Sequence, residues 1–264
     1  MSDFNKIESR IVNEMQTEAL ERMFDRDAGK VFDKIEDDFL KIALSPENFS
    51  KFTNTSEKMT FIRTNLEFGD SFSYLFRILK KTYLSAGKLG LKDLQILLKI
   101  NEEIPVQYNV ELAIDTFCRE TIYDIKKSYY RAYSDYLANA VKNNYSFNQY
   151  RETFLEDPAF KKSAQGEDFS SNRVYIPDHP KKGVVMSNMK AHVAKWFNDV
   201  RNNIADKLGI VNEWVYTTRR DEKVSSICRG DDGKTVNSYK ATKDGSVTGI
   251  IPQHVNCRCK WTFG

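Results

Sequence analysis

The chain has 264 residues, 41% of them hydrophobic and 29% charged, with a formal net charge of +3. That is enough apolar matter for one large or two modest cores, and too little charge to imply nucleic-acid binding by itself. Four cysteines at this length do not make a disulfide scaffold, no stretch approaches the roughly 18 consecutive apolar residues of a membrane span, and the N-terminus lacks the pattern of a signal peptide, so the expectation is a soluble protein folded in a reducing cytoplasm.

Residues 3–27 space Phe4, Ile7, Ile11, Met15, Leu20 and Phe24 along one helical stripe. A second helical pattern follows with Val31, Phe32, Ile35, Phe39 and Ile42, and stops near Pro46. The run Ser45-Pro46-Glu47-Asn48 reads as a turn, because proline restricts its predecessor and donates no backbone hydrogen bond. Residues 50–55 read as loop and 56–66 as a short helix. Another helix runs from Ser71 to Ala86 with Phe72, Leu75, Phe76, Leu79 and Tyr83 inward. Gly87 and Gly90 break that pattern, and a further helix spans Lys92 to Glu103.

After Pro105 comes the longest periodic segment, from Val110 to about Asn143, with Ile114, Phe117, Ile122, Ile125, Tyr129, Tyr133, Leu137 and Val141 at helical spacing. Tyr129, Tyr130, Tyr133 and Tyr136 resemble a base-stacking platform, but their spacing favours packing against other helices. Residues 157–184 lose all periodicity around Pro158, Gly166, Pro177, Pro180 and Gly183, which reads as a linker. A last helix runs from about Ser187 to Leu208 and stops at Gly209. Everything beyond reads as short strands and turns: Trp214-Val-Tyr-Thr-Thr and Lys260-Trp-Thr-Phe are β-prone, and Lys243-Asp-Gly-Ser signals a tight turn.

The fold class that follows is mainly α with a small α+β C-terminal domain. A helical body (1–156) leads through a loop-rich neck (157–184) to a C-terminal domain (185–264) with a compact β-rich tip. Charge is also uneven along the chain. Residues 151–264 hold 19 Lys and Arg against 14 Asp and Glu, a net of +5, while residues 1–150 hold 21 against 23, a net of −2. The basic C-terminal part reads first as a solvated face, and it permits contact with a polyanion.

The tip also gathers the chemistry. Cys228, His254, Cys257 and Cys259 supply the four borderline-soft ligands of a tetrahedral zinc site. The spacing argues less well, because Cys257-x-Cys259 on an extended strand sets the two residues about 7 Å apart. Three readings stand: a structural zinc site, buried thiols packed as small hydrophobes, and a disulfide of Cys228 with Cys257 or Cys259. A Cys228–His254 nucleophile and base, oriented by Asp221, is chemically conceivable, but no phosphate cradle or nucleophile elbow surrounds it. Asp221, Asp231 and Asp232 beside Gly230 and Gly233 read as turn formers rather than cation ligands.

The order of residues carries more than the ligand types. Trp214-x-x-Thr217-Thr218-x-x-Asp221, then Val224 and Cys228, then Asp232-Gly233-Lys, and finally Pro252-x-His254-x-Asn256-Cys257-Arg258-Cys259 resembles the C-terminal signature of phage minor head proteins. These are the relatives of protein F of phage Mu, the phage head morphogenesis family. The resemblance covers residues from about 187 to 264. Ser225 stands where many members carry arginine, and Pro252 alone precedes the histidine. The resemblance implies a structural, non-enzymatic virion component held inside the capsid near the portal. It would reside in the host cytoplasm during assembly, contact portal and other head proteins and the packaged DNA, and use neither a membrane nor a small-molecule substrate. Assistance with head assembly or DNA ejection would be its role. Within that reading Cys228, His254, Cys257 and Cys259 fasten the turns of the tip, with or without zinc, while Trp214 and Trp261 fill its core. The rival classes are a zinc-binding, nucleic-acid-interacting module and a phage-encoded effector enzyme.

Overall fold

The computed structural model describes residues 3–52, 70–101, 104–156, 174, 176, 182–218, 224–237, 239 and 259–263. It is a helical protein with a small antiparallel sheet near its C-terminal end. The expected helix at 56–66, most of the 157–184 neck and the Lys243–Ser246 turn lie outside the described residues.

Helix α1 spans Asp3–Ala43 without interruption. The sequence divides it near Gly29, but one helical glycine costs about 1 kcal/mol, which packing on both sides outweighs. Its buried stripe is Phe24, Ala28, Phe32, Ile35, Phe39 and Ala43, at steps of three and four, whereas Met15, expected inward, is 65% exposed. Helix α2 spans Pro46–Phe52, so the expected turn is a helix start. Pro46 occupies the first helical position, where its missing N–H costs nothing. Ser45 Oγ accepts from the Asn48 backbone N–H at 3.2 Å and caps the helix.

Helix α3 spans Ser71–Leu98 and runs straight through Gly87 and Gly90. These glycines do not end a helix; they admit a neighbour. A Cβ on Gly90 would lie 2.3 Å from the Phe197 carbonyl oxygen, and one on Gly87 would lie 3.0 Å from a methyl of Val200. The helix ends in a left-handed cap at Lys99 (φ 55°), with Ile100 N–H donating to the Gln95 carbonyl at 3.0 Å. Helix α4 spans Tyr108–Lys142, close to expectation, and buries Ile114, Phe117, Ile122, Ile125, Tyr129, Tyr133 and Leu137. Helix α5 spans Phe147–Glu156 behind a reciprocal cap, in which Ser146 N–H donates to Gln149 Oε1 at 2.8 Å and Gln149 N–H to Ser146 Oγ at 3.4 Å.

Helix α6 spans Lys182–Lys207 and begins earlier than expected. It packs chiefly on α3 and also on α1, and α1 packs on α3, so these three helices form the centre of the body. Helix α4 lies against α3, while α5 and α2 gather at the C-terminal end of α1. There Tyr150 donates its hydroxyl to the Ala43 carbonyl at 3.0 Å, and Phe39 lies 4.9 Å from Tyr129 and 5.9 Å from Phe154.

The sheet has the order β2-β1-β3, with β1 Trp214–Thr217, β2 Thr235–Val236 and β3 Lys260–Phe263, all antiparallel. Trp214 pairs with Val236 and Phe263, and Tyr216 pairs with Trp261. A one-turn-and-a-half helix α7, Ser226–Asp231, lies between β1 and β2, where the sequence suggested only strands and turns. Body and tip share one hydrophobic cluster that runs from Phe24 to Trp261. Among the described residues no helix is long and apolar enough to cross a membrane.

Candidate functional site in the C-terminal tip

Strand β1 alternates cleanly: Trp214 and Tyr216 are buried, Val215 and Thr217 partly open. This alternation puts Trp214 into the core, 5.1 Å from the Tyr239 ring, and sets Tyr216 edge-on to Trp261 at 5.3 Å. On the other face Thr217 Oγ1 and Thr262 Oγ1 lie 2.9 Å apart across the strand pair.

The Asp-Gly turn closes onto the end of β1. Asp232 Oδ1 accepts from the Thr218 backbone N–H at 2.8 Å. Gly233 sits at φ +86°, a conformation that favours glycine, and donates its N–H to the Tyr216 carbonyl at 2.8 Å. Tyr216 N–H donates in return to the Lys234 carbonyl at 2.8 Å. Asp231, buried, pairs with the Lys234 ammonium. The acidic residues of this segment are thus spent on turn geometry. Trp214, Thr217, Thr218, Asp232 and Gly233, singled out from sequence, are brought together within this one structural unit.

Cys228 lies in α7, whose start is capped by Ser225: Ser225 Oγ accepts from the Cys228 N–H at 3.2 Å. Cys228 is 1% exposed, and Tyr216 donates its hydroxyl to Cys228 Sγ at 3.7 Å. Cys259, also buried, immediately precedes β3. Among the described residues no disulfide joins Cys228 to Cys259, and no group of three or more His, Cys, Asp or Glu side chains stands together as a metal shell. Asp221, Pro252, His254, Asn256, Cys257 and Arg258 lie outside the described residues. A nucleophile at Cys228 would have to act from a position closed to solvent.

The tip is seated on α6 through polar side chains that sequence reasoning did not single out. Asn202 Nδ2 donates to the Trp261 carbonyl at 3.2 Å. Tyr239 donates its hydroxyl to Asp199 Oδ1 at 2.8 Å and its N–H to Asp206 Oδ1 at 3.1 Å. Lys195 Nζ meets Asp199 Oδ2 at 2.5 Å and lies 4.2 Å from the Trp196 ring centre. On the body side Arg201 Nε meets Asp93 Oδ2 at 2.7 Å. Burial pushes the Tyr239 hydroxyl well above its usual range, and the Asp199 charge adds to that. Burial pushes the Arg201 guanidinium down, and Asp93 opposes the shift.

Asn188, His192, Lys195, Asp199, Asn202 and Asp206 recur at steps of three and four along α6. His192 is fully buried, its ring 5.0 Å from Phe117. That polar periodicity was the available signal, and it was hidden because an apolar stripe runs along the same helix. The resulting network can hold two structural units in register: Lys195 pairs with Asp199 and Arg201 with Asp93, while Asp206 accepts from the Tyr239 N–H.

No family model matches the chain, and comparisons with curated proteins and with solved structures likewise find no match.

Proposed function

We propose that the chain is a minor head protein of a tailed bacteriophage, held inside the capsid near the portal and assisting head assembly or DNA ejection. The observation that carries this reading is the ordered set of tip residues, from Trp214 through Asp232-Gly233 to the Pro252–Cys259 run. What the structure adds in support is that the described members of that set build the tip itself. Trp214 fills its core, Asp232 ties the turn to Thr218, and Thr217 bridges to Thr262. Residues committed to architecture suit an assembly component, whose surface does the work of docking. Portal and other head proteins would be its partners, with packaged DNA close by.

The test is location. Purified particles should contain the chain in a few copies, and immature proheads should contain it together with portal protein. Absence from the particle, with no portal association during assembly, overturns the reading.

The buried thiols support a second question within the same fold. Cys228 contacts Tyr216, and Cys259 precedes the strand that pairs with it, so α7 and β3 both bring a sulfur to the tip. A structural zinc there predicts one tightly held zinc per chain by metal analysis of the purified protein. Zinc together with salt-sensitive DNA binding by the tip would instead favour a zinc-binding nucleic-acid module.

A further inference from the structure

The solvent face of α3 carries a line of positive charge. Arg77, Lys81, Lys88, Lys92 and Lys99 are exposed, and between Ser71 and Lys99 every exposed charged residue is a cation. Asp93, the one carboxylate of α3, is buried against Arg201. Among the described residues none of these five cations forms an ion pair. Arg77 lies 5.5 Å from the Tyr74 ring, a contact that leaves its charge in place. Lys30 and Lys34 of α1 are exposed too. Arg26, and after it Lys30 and Lys81, hold the Asp27 carboxyl below its usual range, so the cations of α1 and α3 stand beside one another there. Asp27 itself is paired with Arg26 at 2.7 Å. On the flank toward α4, Asp115 is held by both Lys80 and Arg119, and Glu111, one turn earlier, adds a single opposing charge.

The cations follow one another at steps of four, seven, four and seven residues. At 3.6 residues per turn they stay within a sector of about 60°, and the line runs about 33 Å along the axis. An eleven-residue repeat of this kind drifts little around a helix, so the charges form a row rather than a spiral. Arg77 with Lys81, and Lys88 with Lys92, make two pairs whose centres are about 16.5 Å apart. One turn of B-form duplex is about 34–36 Å and presents two strands, so a line along its axis meets a phosphate backbone every 17–18 Å or so on average. Among the large exposed hydrophobic side chains of α3, Tyr74 precedes the row and Ile96 follows Lys92, and none lies between Arg77 and Lys92. Stable docking on a bilayer draws on buried apolar area as well as charge, whereas a phosphate backbone needs the charges alone.

We infer that this face of α3 lies along duplex DNA and contacts the phosphates of both strands without reading sequence. The inference rests on the arrangement of charge and not on the head-protein reading, and either can fail without the other. It places the contact in the half of the sequence whose net charge is −2, so alignment of cations decides binding where the total does not.

The experiment is fluorescence anisotropy of a labelled mixed-sequence duplex of about two turns with the purified full chain, titrated from about 50 to 200 mM salt. Saturable binding is expected, with a slope of log K against log salt near −4.5 if all the cations of the row reach phosphates, at about −0.9 for each. Lys88→Ala with Lys92→Ala should weaken binding about tenfold or more at the low-salt end and flatten the slope by about 1.8. Lys88→Arg with Lys92→Arg should keep both affinity and slope. Lys127→Ala with Lys142→Ala removes the same charge from exposed positions on α4 and should leave the slope unchanged. All these side chains are at the surface, so an unchanged melting temperature verifies the fold of each variant. Equal loss in the α3 and α4 double variants would make the effect one of total charge and overturns the inference. So do tighter binding of a single strand than of duplex, binding of anionic phosphatidylserine vesicles but not of DNA, and no saturable binding of duplex at the low-salt end.

Discussion

Arg201 on α6 and Asp93 on α3 meet at 2.7 Å with 6% and 4% of their side chains exposed. They lie on the two helices that Gly87 and Gly90 allow into close contact. Removing one partner leaves a buried charge unpaired, which costs about 3–5 kcal/mol, whereas replacing both with apolar residues removes two desolvation penalties together. Arg201→Met and Asp93→Leu should each lower stability by that amount, and the double variant should recover most of it. Urea midpoints decide the matter, and single-variant losses below about 1 kcal/mol would mean that water reaches the pair.

Two glycine-to-alanine substitutions should act with opposite signs. Gly90→Ala drives a Cβ to 2.3 Å from the Phe197 carbonyl, so α3 and α6 must separate. Overpacking of this kind costs about 1–3 kcal/mol. At Gly29 an added Cβ meets no described atom within 4 Å, and the substitution should stabilise α1 by about 0.5–1 kcal/mol. Thermal melts of the two variants side by side test the distinction.

The tip offers a more local prediction. Ser225→Ala removes the cap of α7 and should cost about 1 kcal/mol. Asp232→Ala strips the acceptor from the Thr218 amide and should cost about 1–3 kcal/mol. Hydrogen exchange at Thr218 and Cys228 should quicken in the corresponding variant while the buried amides of α4 keep their protection. Uniform acceleration across α4 would refute a local role.

Burial pushes the Cys118 thiol from 9.0 up to about 12. Unfolded chains release this proton near pH 9, while folded chains retain it to about 12. Between those values the folded state binds more protons, so stability is fully present below pH 9 and falls as pH rises through the window. Cys118→Ala should therefore lose stability less steeply than the parent between pH 8 and about 10.5, as read from urea midpoints. At pH 8 the thiolate fraction at Cys118 is about one in ten thousand, so thiol reagents should spare it until the chain unfolds.

Which parts of this were legible in the sequence follows from how many roles a residue can serve. The stripe of α4 was readable because Ile114 through Leu137 repeat at one period and do one thing. Gly87 and Gly90 were misread as stops because the sequence shows a small residue but not the Phe197 backbone that needs the space. Pro46 shows the same ambiguity: proline ends one helix and begins another, and only the Ser45 cap tells which. The strands β1 and β3 were found by their β-prone residues, while α7, six residues long, is too short to show a period. In the tip, sequence order pointed to Trp214, Thr217, Thr218, Asp232 and Gly233, and these share one unit. The seat on α6 escaped notice because Lys195, Asp199 and Asn202 resemble an ordinary solvated face until their burial is known.

Helix α6 belongs to both halves of the molecule at once. Its apolar residues Val193, Phe197 and Val200 are part of the shared core, and Asn202 reaches out to the strand that closes the sheet. Among the described residues there is therefore no seam at which body and tip separate cheaply. A fragment beginning at residue 182 would carry that apolar surface bare into water and should aggregate, unless residues 1–156 were supplied in trans to cover it. For the same reason heat should melt body and tip together, in one calorimetric transition rather than two.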